Sequence, residues 1–376
     1  MEKKMDEKVY WMGFNLVKGI GAVRFQNLIN FFGSLEVAWQ TPVEALASAG
    51  LSQKIIENLV LVRRSKDLQK IWDHLQAQGI QVVTWQDAAY PSVLKEIDQP
   101  PPVLYLRGSL VPEDGWAVAI VGTRRITPYG RQVADELAAY LAHHGLTVVS
   151  GLARGVDAVA HEAALKASGR TIAVLGSGID IIYPLENKYL AEQIVKQGAL
   201  ISDYPPGTQP EGVNFPPRNR IISGLARATV VVEAGEKSGA LITATFAAEQ
   251  GREVLAVPGT IHAPQSKGAN RLIQQGARPL LAMQDVLDAI DFEHAQEHYQ
   301  ARTLFPSDEK EKAILRILSD EPLSMDEIGI QANLPIEQVS STLVLMELKG
   351  MVSQMGGMSY VAVHEEQGEY LTGNEE

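Results

Sequence analysis

The chain has 376 residues, of which 45% are hydrophobic and 21% charged, a composition typical of soluble globular proteins with two or three domains. It contains no cysteine, which excludes disulfides, Cys-ligated metal centres and a Cys nucleophile. The charged segment Met1–Glu7 lacks the apolar stretch of a signal peptide, and no apolar run approaches the roughly 20 residues that cross a bilayer. The sequence therefore predicts a cytoplasmic protein with no membrane partner.

The net charge of −12 is unevenly distributed along the chain. Residues 306–376 contain four basic and fourteen acidic side chains, a net charge of −10, whereas residues 1–305 are close to neutral, with a net charge of −2. A local basic groove in the first 305 residues is therefore compatible with the acidic total, and the charge does not exclude a nucleic-acid partner.

The first 80 residues are predicted to form a small helical domain. Apolar residues between Val9 and Ala77 recur at spacings of three and four, which indicates short helices. The segment Lys18–Arg24 is typical of a helix-hairpin-helix turn, whose backbone N–H groups can hold a DNA phosphate; a purely structural helix pair is the alternative. The domain is thus expected to be helix-hairpin-helix or sterile-alpha-motif-like.

Residues 81–295 alternate buried strands with helices. The predicted strands are Ala117–Val121, Leu146–Ser150, Thr171–Leu175, Ala199–Ser202, Thr229–Glu233 and Glu253–Val257, and the helices between them include Gly130–His144, Val156–Ser168 and Ala240–Gln250. Such alternation predicts right-handed βαβ crossovers and a parallel sheet covered on both faces. We expect an α/β fold: an extended Rossmann-like, doubly wound, mostly parallel sheet.

The remaining residues are predicted to form a linker at 296–307, a winged-helix domain at 308–365 and a tail at 366–376. Three helices, about Asp308–Leu318, Ser324–Ala332 and Ile336–Lys349, precede a hairpin of Met351–Gln354 and Ser359–Val363. The third helix carries Glu337 and Glu347 against Lys349 alone, which disfavours insertion into a DNA groove. This module is expected to contact protein, with DNA binding as the alternative.

Glycine-rich loops follow several of the predicted strands and form a candidate anion site. Their glycines let a ligand approach the backbone, their charged and hydroxyl side chains suit phosphate, and each loop leads into a helix N-terminus. The candidate residues are Gly122, Thr123, Arg124, Ser150, Gly151, Arg154, Lys237, Ser238 and Gly239. Glycine-rich turns are common in any doubly wound sheet, but four such loops bearing Arg, Lys and hydroxyls together favour a site for a phosphodiester backbone. None has the spacing of a dinucleotide fingerprint or a Walker motif.

A second candidate cluster opens a helix predicted at Ile221–Arg227. Arg218 and Arg220 are expected to reach phosphates, and Asn219 to read a base edge or cap the helix. Phe215 is a candidate stacking platform for an unpaired base, and a core aromatic under a proline turn is the equally weighted alternative.

Catalytic groupings are poorly supported. His161 and Asp157 lie four residues apart on one predicted helix and could bind a metal, but the favoured interpretation is that Asp157 braces the glycine-rich loop while His161 packs locally. The sequence contains no nucleophile elbow and no carboxylate cluster suited to metal-assisted phosphodiester cleavage. We therefore predict a binding protein with no catalytic residue, no metal and no cofactor.

Six segments, in this order, carry a family resemblance: VAIVGTRRITPYG at 118–130, SGLARGVDAVAH at 150–161, FPPRNRII at 215–222, VEAGEKSGALITA at 232–244, GREVLAVPG at 251–259 and GANRLIQQGA at 268–277. The chain resembles the DNA-processing protein A family, also called DprA or Smf. One small departure is Ser202-Asp203, where the family often has Ser-Glu.

The resemblance implies a dimer, paired through the Rossmann-like domain, that binds single-stranded DNA without catalysis. It also implies protection of incoming DNA during natural transformation and loading of the RecA recombinase. On this analogy the DNA groove would be lined by Arg124, Ser150, Gly151, Arg218, Asn219, Arg220, Lys237, Ser238 and Gly239.

The rival hypothesis is a nucleotide-processing enzyme resembling a nucleotide phosphoribohydrolase, or a nucleotide carrier, on the same type of sheet. Pro258-Gly259-Thr260 matches only part of the Pro-Gly-Gly-x-Gly-Thr loop of those families. The density of arginine at the strand ends suits a polymer backbone better than one nucleotide.

Overall fold

The computed structural model describes residues 6–292, 309–318, 322–348, 352–355 and 359–362. The chain divides into two compact units, Met1–Ile290 and Asp291–Glu376. No helix within the described ranges is long and apolar enough to span a bilayer. The predicted linker at 296–307 and the predicted tail at 366–376 lie outside the described residues.

Six helices open the first unit: α1 Lys8–Asn15, α2 Ala22–Phe32, α3 Leu35–Gln40, α4 Val43–Ser48, α5 Gln53–Ser65 and α6 Leu68–Ala77. Their aromatic side chains interlock, with the rings of Trp11 and Phe25 stacked at 5.6 Å between centroids. The segment between α1 and α2 is a tight turn in which Gly19 has φ +99°, a conformation that glycine adopts without strain, and Ile20 is buried.

The strands of residues 6–292 form one nine-stranded sheet. They are β1 Gln81–Thr84, β2 Val103–Gly108, β3 Ala117–Val121, β4 Thr147–Ser150, β5 Thr171–Val174, β6 Ala199–Ser202, β7 Ala228–Val231, β8 Glu253–Ala256 and β9 Arg278–Pro279, in the order β1-β2-β6-β5-β4-β3-β7-β8-β9. The seven strands β3 to β9 all pair in parallel with their neighbours in the sheet. The strands β1 and β2 add an antiparallel edge beside β6.

Helices cover both faces of the sheet: α7 Ser92–Lys95, α8 Pro128–His143, α9 Val156–Lys166, α10 Lys188–Gln197, α11 Phe215–Gly224, α12 Gly239–Glu249, α13 Lys267–Gln274 and α14 Gln284–Ala289. Every residue of β3 to β7 is buried, as expected for parallel strands packed on both sides. The predicted doubly wound, mostly parallel α/β fold is confirmed.

The N-terminal helices and the sheet share a hydrophobic core. Trp11, Phe14 and Leu28 belong to the same buried cluster as Leu152 and Ile194, which come from the β4 loop and from α10. Asn15 at the end of α1 also accepts a hydrogen bond from the buried Tyr105 hydroxyl of β2 at 2.9 Å. The predicted domain boundary at residue 80 therefore falls between two regions that are packed together.

The second unit has the elements of a winged helix: α15 Glu309–Ile317, β10 Leu323–Ser324, α16 Met325–Ala332, α17 Ile336–Leu348, β11 Val352–Met355 and β12 Ser359–Ala362. Ser324 and Glu327 form a capping box that starts α16, in which the Ser324 N–H donates to the Glu327 carboxylate at 2.9 Å. Ile314, Ile328 and Leu343 meet in its core. The predicted winged helix is confirmed.

Candidate nucleic-acid interface

The sheet reverses its winding between β3 and β7. From β3 the chain winds through β4, β5 and β6 on one side, and β7 then returns to pair with the other edge of β3. Loops at the carboxyl ends of strands diverge at such a point and leave a crevice in which open α/β sheets bind their ligands. A cleft of about 820 Å³ lies here; we call it the switch-point cleft. The sequence-predicted residues in its walls are Gly122, Thr123, Arg124, Phe215, Arg218, Asn219, Lys237, Ser238 and Gly239.

The loop after β3 forms one wall of the cleft. A Cβ atom at Gly122 would lie 2.5 Å from Cγ2 of Val156, so only glycine lets the start of α9 pack this closely. The Thr123 N–H donates to the Glu233 carbonyl at 2.7 Å, which joins the ends of β3 and β7. Beyond this anchor Arg124 and Arg125 are exposed, and neither has an ion-pair partner among residues 6–292.

Glu233 fixes the start of α8 next to this wall. Its buried carboxylate accepts hydrogen bonds from the Thr127 hydroxyl and, at 3.0 Å, from the Thr127 N–H. The Thr127 hydroxyl oxygen in turn accepts from the Gly130 N–H at 3.1 Å and so caps α8. The acidic side chain that follows β7 is thus a structural anchor, turned away from the ligand space.

The opposite wall is the loop between β7 and α12. Ser238 caps α12 by accepting from the Ala240 N–H at 3.3 Å, and the Asn219 amide donates to the Gly239 carbonyl at 3.3 Å. Lys237 is exposed at the tip and forms no ion pair with a described residue. The first N–H groups of α12 and the Lys237 ammonium therefore give this wall positive potential.

Aromatic side chains line the floor. Phe215 is half-buried, and its ring lies 5.5 Å from the Arg124 guanidinium and 5.7 Å from the Tyr183 ring, at an interplanar angle of 35°.

Phe215 is also the first residue of α11, so the predicted helix start at Ile221 and the predicted helix end at Arg227 were wrong. Pro216 and Pro217 occupy the first turn, where the missing N–H costs nothing, and the helix ends at Gly224.

Arg218 departs from its predicted role as an exposed phosphate contact. Its side chain is only 4% exposed, and its guanidinium donates to the Gly151 carbonyl at 2.9 Å and to the Val174 carbonyl. Burial lowers the pKa of Arg218 to about 10, so it remains a cation at neutral pH. Arg218 therefore connects α11 to the ends of β4 and β5, and little of its side chain is exposed to the cleft that it lines.

The loop after β4 is held from its other side by Asp157. This buried carboxylate accepts from the N–H groups of Gly151 at 3.1 Å and Ala153 at 3.3 Å, which confirms its predicted bracing role. Burial raises the pKa of Asp157, and the positive charge of Arg218 opposes that shift. Between the two anchored N–H groups Leu152 takes φ +57°, a conformation that costs a non-glycine residue energy and is kept only under such constraints.

Gly151 and Arg154 line a small side pocket next to the cleft, together with Tyr183 and Phe215. The Arg154 guanidinium is paired twice with the Glu186 carboxylate, at 2.5 and 2.6 Å. Both side chains are more than half exposed, so the pair contributes little to stability and can open for an incoming anion.

Two predicted groove residues lie elsewhere. Ser150 is fully buried and its hydroxyl donates to the Ile120 carbonyl at 2.6 Å, so it joins β4 to β3. Arg220 pairs with Asp203 at 3.2 Å, donates to the Gln99 carbonyl and lines a different pocket, beside Gly21. Both side chains were predicted to line the DNA groove, and the structure places them outside the switch-point cleft.

His161 packs locally, as the sequence indicated. It is fully buried, and its Nδ1 lies 2.6 Å from the Thr171 hydroxyl oxygen. Burial lowers the pKa of His161 to about 3, so the ring is neutral in the folded protein. No group of three acidic or histidine side chains that could hold a metal ion occurs in the part of the chain that the structure describes.

Arg125 and Tyr183 also line the cleft but were absent from the predicted set. Arg125 follows Arg124 directly, and the paired arginines in Thr123–Arg125 were a sufficient signal. Tyr183 comes from the segment between β5 and α10, which begins at the glycine-rich strand end Gly176–Gly178 but has no basic side chain before Tyr183.

Arg218→Ala is expected to destabilise the fold by about 3 kcal/mol, because two buried carbonyl oxygens lose their donor and buried Asp157 loses a compensating positive charge. Arg124→Ala is the matched control and should change the free energy of unfolding by no more than about 0.5 kcal/mol, since its side chain is exposed. Urea denaturation measures both values. Equal stability of the two variants would contradict the bracing role of Arg218.

His161 should make the protein less stable in mild acid. Unfolded, the ring titrates near pH 6.5; folded, it titrates at about 3, so between these values the unfolded chain binds the extra proton and stability falls as the pH is lowered. From about pH 7.5 to about pH 5 the loss attributable to His161 should be roughly 2 kcal/mol. His161→Gln should flatten this dependence in denaturation curves, whereas His262→Gln, at an exposed histidine, should retain it.

Comparison with known proteins places the chain among DNA-processing proteins. The family model for DNA recombination-mediator protein A matches residues 81–291, and the model for the DprA winged helix domain matches residues 299–358. Protein Smf of Synechocystis sp. is 37% identical over 94% of this chain and 98% of its own length.

Two solved structures of DNA processing protein A are similar to this chain. The protein from Streptococcus pneumoniae is 34% identical, with a TM-score of 0.65 over 76% of this chain and 98% of that one. The protein from Helicobacter pylori, whose structure was solved to describe its unique single-stranded DNA binding mode, is 30% identical, with a TM-score of 0.51 over 57% of this chain and 97% of that one. The architecture, the two matched domains and the relatives of similar length agree, and the chain therefore belongs to the DprA/Smf family.

Proposed function

We propose that the protein binds single-stranded DNA in the switch-point cleft. The observation that carries this proposal is the convergence of three exposed cations, Arg124, Arg125 and Lys237, on a cleft whose floor presents the partly exposed ring of Phe215. None of the three cations has an ion-pair partner among the described residues of the first unit, so their charge is available to phosphates. A cationic groove with an aromatic platform is the usual construction of single-strand binding sites.

A preference for single strands follows from the same groups. The face of the Phe215 ring can stack only on a base that is not already stacked within a duplex. The third helix of the winged-helix unit does not offer a basic surface for duplex DNA. Glu337 and Glu347 are exposed on it, and Lys349 lies outside the described residues. The single-stranded DNA binding mode of the Helicobacter pylori relative supports the proposal.

We infer that the cleft binds without catalysis. Among the described residues that wall it, Asp157 is the only carboxylate, and that carboxylate already accepts two backbone hydrogen bonds. Glycosidic cleavage uses a pair of carboxyl groups facing the scissile bond. A nucleotide phosphoribohydrolase remains the rival, and release of free base from nucleoside monophosphates would favour it; retention of an intact oligonucleotide would favour the binding protein.

We further propose that the bound strand is protected during natural transformation and passed to the RecA recombinase by a homodimer paired through the Rossmann-like domain. The description of the matched family as a recombination mediator supports the transfer step. Exposed apolar side chains at Ile261 and Leu281 provide surface for pairing. Sedimentation should give a dimer, and a monomer would refute the proposed pairing. The protein should speed RecA assembly on single-stranded DNA that another protein already coats, and an unchanged rate of assembly would refute the proposed transfer.

The cations should act as independent phosphate contacts. For each of Arg124→Ala, Arg125→Ala and Lys237→Ala we expect weaker binding across all base sequences and a decrease of roughly 0.7 in the magnitude of the slope of log K against log salt, the value for one single-strand contact. Folding should be unaffected because all three side chains are exposed. Filter binding of labelled oligonucleotides at several salt concentrations measures the slope.

The matched control is Lys54→Ala, which removes from α5 an exposed cation that likewise has no ion-pair partner among the described residues. It should leave both the affinity and the slope unchanged. If all three cleft variants fold and bind with the wild-type slope, or if duplex binds as tightly as single strands at moderate salt, the cleft is not the DNA site.

A further inference from the structure

The outer rim of the side pocket exposes large apolar side chains. The segment Tyr183–Tyr189 contains a 3-10 turn, Leu185–Asn187, and the first two residues of α10. Leu185 is 75% exposed and Tyr189 is 73% exposed. Tyr183 is 45% exposed, so three bulky side chains within seven residues face water, and they form a candidate interaction surface.

This rim is firmly attached to the wall of the pocket. The Asn187 amide donates to the Leu152 carbonyl at 2.8 Å. The exposed pair of Glu186 and Arg154 adds a second, weaker link to the same loop. The rim is thus fastened to the loop after β4, which Arg218 and Asp157 brace from beneath. Tyr189, two residues after Asn187, therefore lies on a segment that is fixed to the loop bordering the side pocket.

The rim continues the cleft in both shape and chemistry. Tyr183 lines the cleft and the side pocket, and its ring lies 5.7 Å from that of Phe215. Arg154 is exposed along the rim, and so is Lys188, which forms no ion pair with any described residue. Aromatic faces beside an unpaired cation, Lys188, match the alternating bases and phosphates of an unpaired strand, whereas a purely apolar protein partner would leave this cation unmatched.

We propose that the rim Tyr183–Tyr189 is a second base-stacking subsite. A single strand leaving the switch-point cleft passes over Tyr183, places a base on the ring of Tyr189 and a phosphate beside Lys188. This inference rests on the proposed function and extends it, because it states the direction in which the strand leaves the cleft and makes affinity depend on strand length.

The test compares oligothymidylates of about four and about sixteen nucleotides, which is the range of site sizes found for a single OB-fold that binds single strands. Tyr189→Ala should weaken binding of the longer strand roughly tenfold, the usual loss for one stacked base, and leave the shorter strand unaffected. The slope of log K against log salt should stay unchanged. Tyr189→Phe keeps the aromatic face and should bind like the wild type.

Lys188→Ala should act differently from Tyr189→Ala. For the longer strand it should decrease the magnitude of the salt slope by roughly 0.7, and for the shorter strand it should change nothing. Leu61→Ala, at an exposed apolar residue of α5, is the matched surface control and should bind both lengths like the wild type. Thermal melting of each variant checks the fold.

The outcomes separate the two proposals. If the wild type binds neither length, the proposed function fails, and the rim proposal with it. If the wild type binds both lengths and Arg124→Ala weakens both, while Tyr189→Ala binds the longer strand like the wild type, the cleft stands and the rim is not on the path of the strand. In that case the exposed rim belongs to a protein contact.

Discussion

The cleft depends on one buried cation. Arg218 sits on α11, yet its guanidinium donates to carbonyl groups at the ends of β4 and β5, so a single side chain joins a helix to two neighbouring strands of the sheet. Burying a guanidinium is costly unless its donors are used, and here two strand-end carbonyls and the nearby negative charge of Asp157 offset that cost. Because α11 is fixed in this way, Phe215 and Asn219, its neighbours on the helix, face the cleft in defined positions.

Charge is divided between the two units in a way that suits an anionic ligand. The exposed cations of the cleft lie in the first unit, while residues 306–376 carry a net charge of −10. Two acidic side chains next to the cleft are engaged within the fold: Glu233 caps α8 through Thr127, and Asp157 binds two backbone N–H groups. A third, the exposed Glu236 beside Lys237, pairs with Lys267 at 3.9 Å. The local potential of the cleft is therefore positive even though the protein as a whole is acidic.

The sequence predicted six of the nine strands, β3 to β8, because each is a short apolar run between helices, and it missed the edge strands β1, β2 and β9. Predicted strands such as Ala117–Val121 and Ala199–Ser202 match the structure residue for residue. It also brought together the residues that glycine-rich loops carry, such as Arg124 and Lys237.

Prediction failed where side-chain direction mattered. Arg218 and Arg220 were treated as equivalent, but α11 already begins at Phe215, and residues two apart on a helix point to different sides. One guanidinium therefore enters the core while the other pairs with Asp203, outside the cleft. Ser150 failed for a similar reason: it is the last residue of a strand buried on both faces, so its hydroxyl bonds to the next strand.

The core that the N-terminal helices share with the sheet limits how modular this protein can be. Trp11 and Phe14 are buried in the same cluster as Leu152, the residue that the bracing of the β4 loop holds in a left-handed conformation. Excising the helices at residue 80 would expose the apolar side of that loop and of α10 to water. The N-terminal region thus supports the ligand-binding loops, and we expect sequence changes in its interior to alter the cleft through this shared packing.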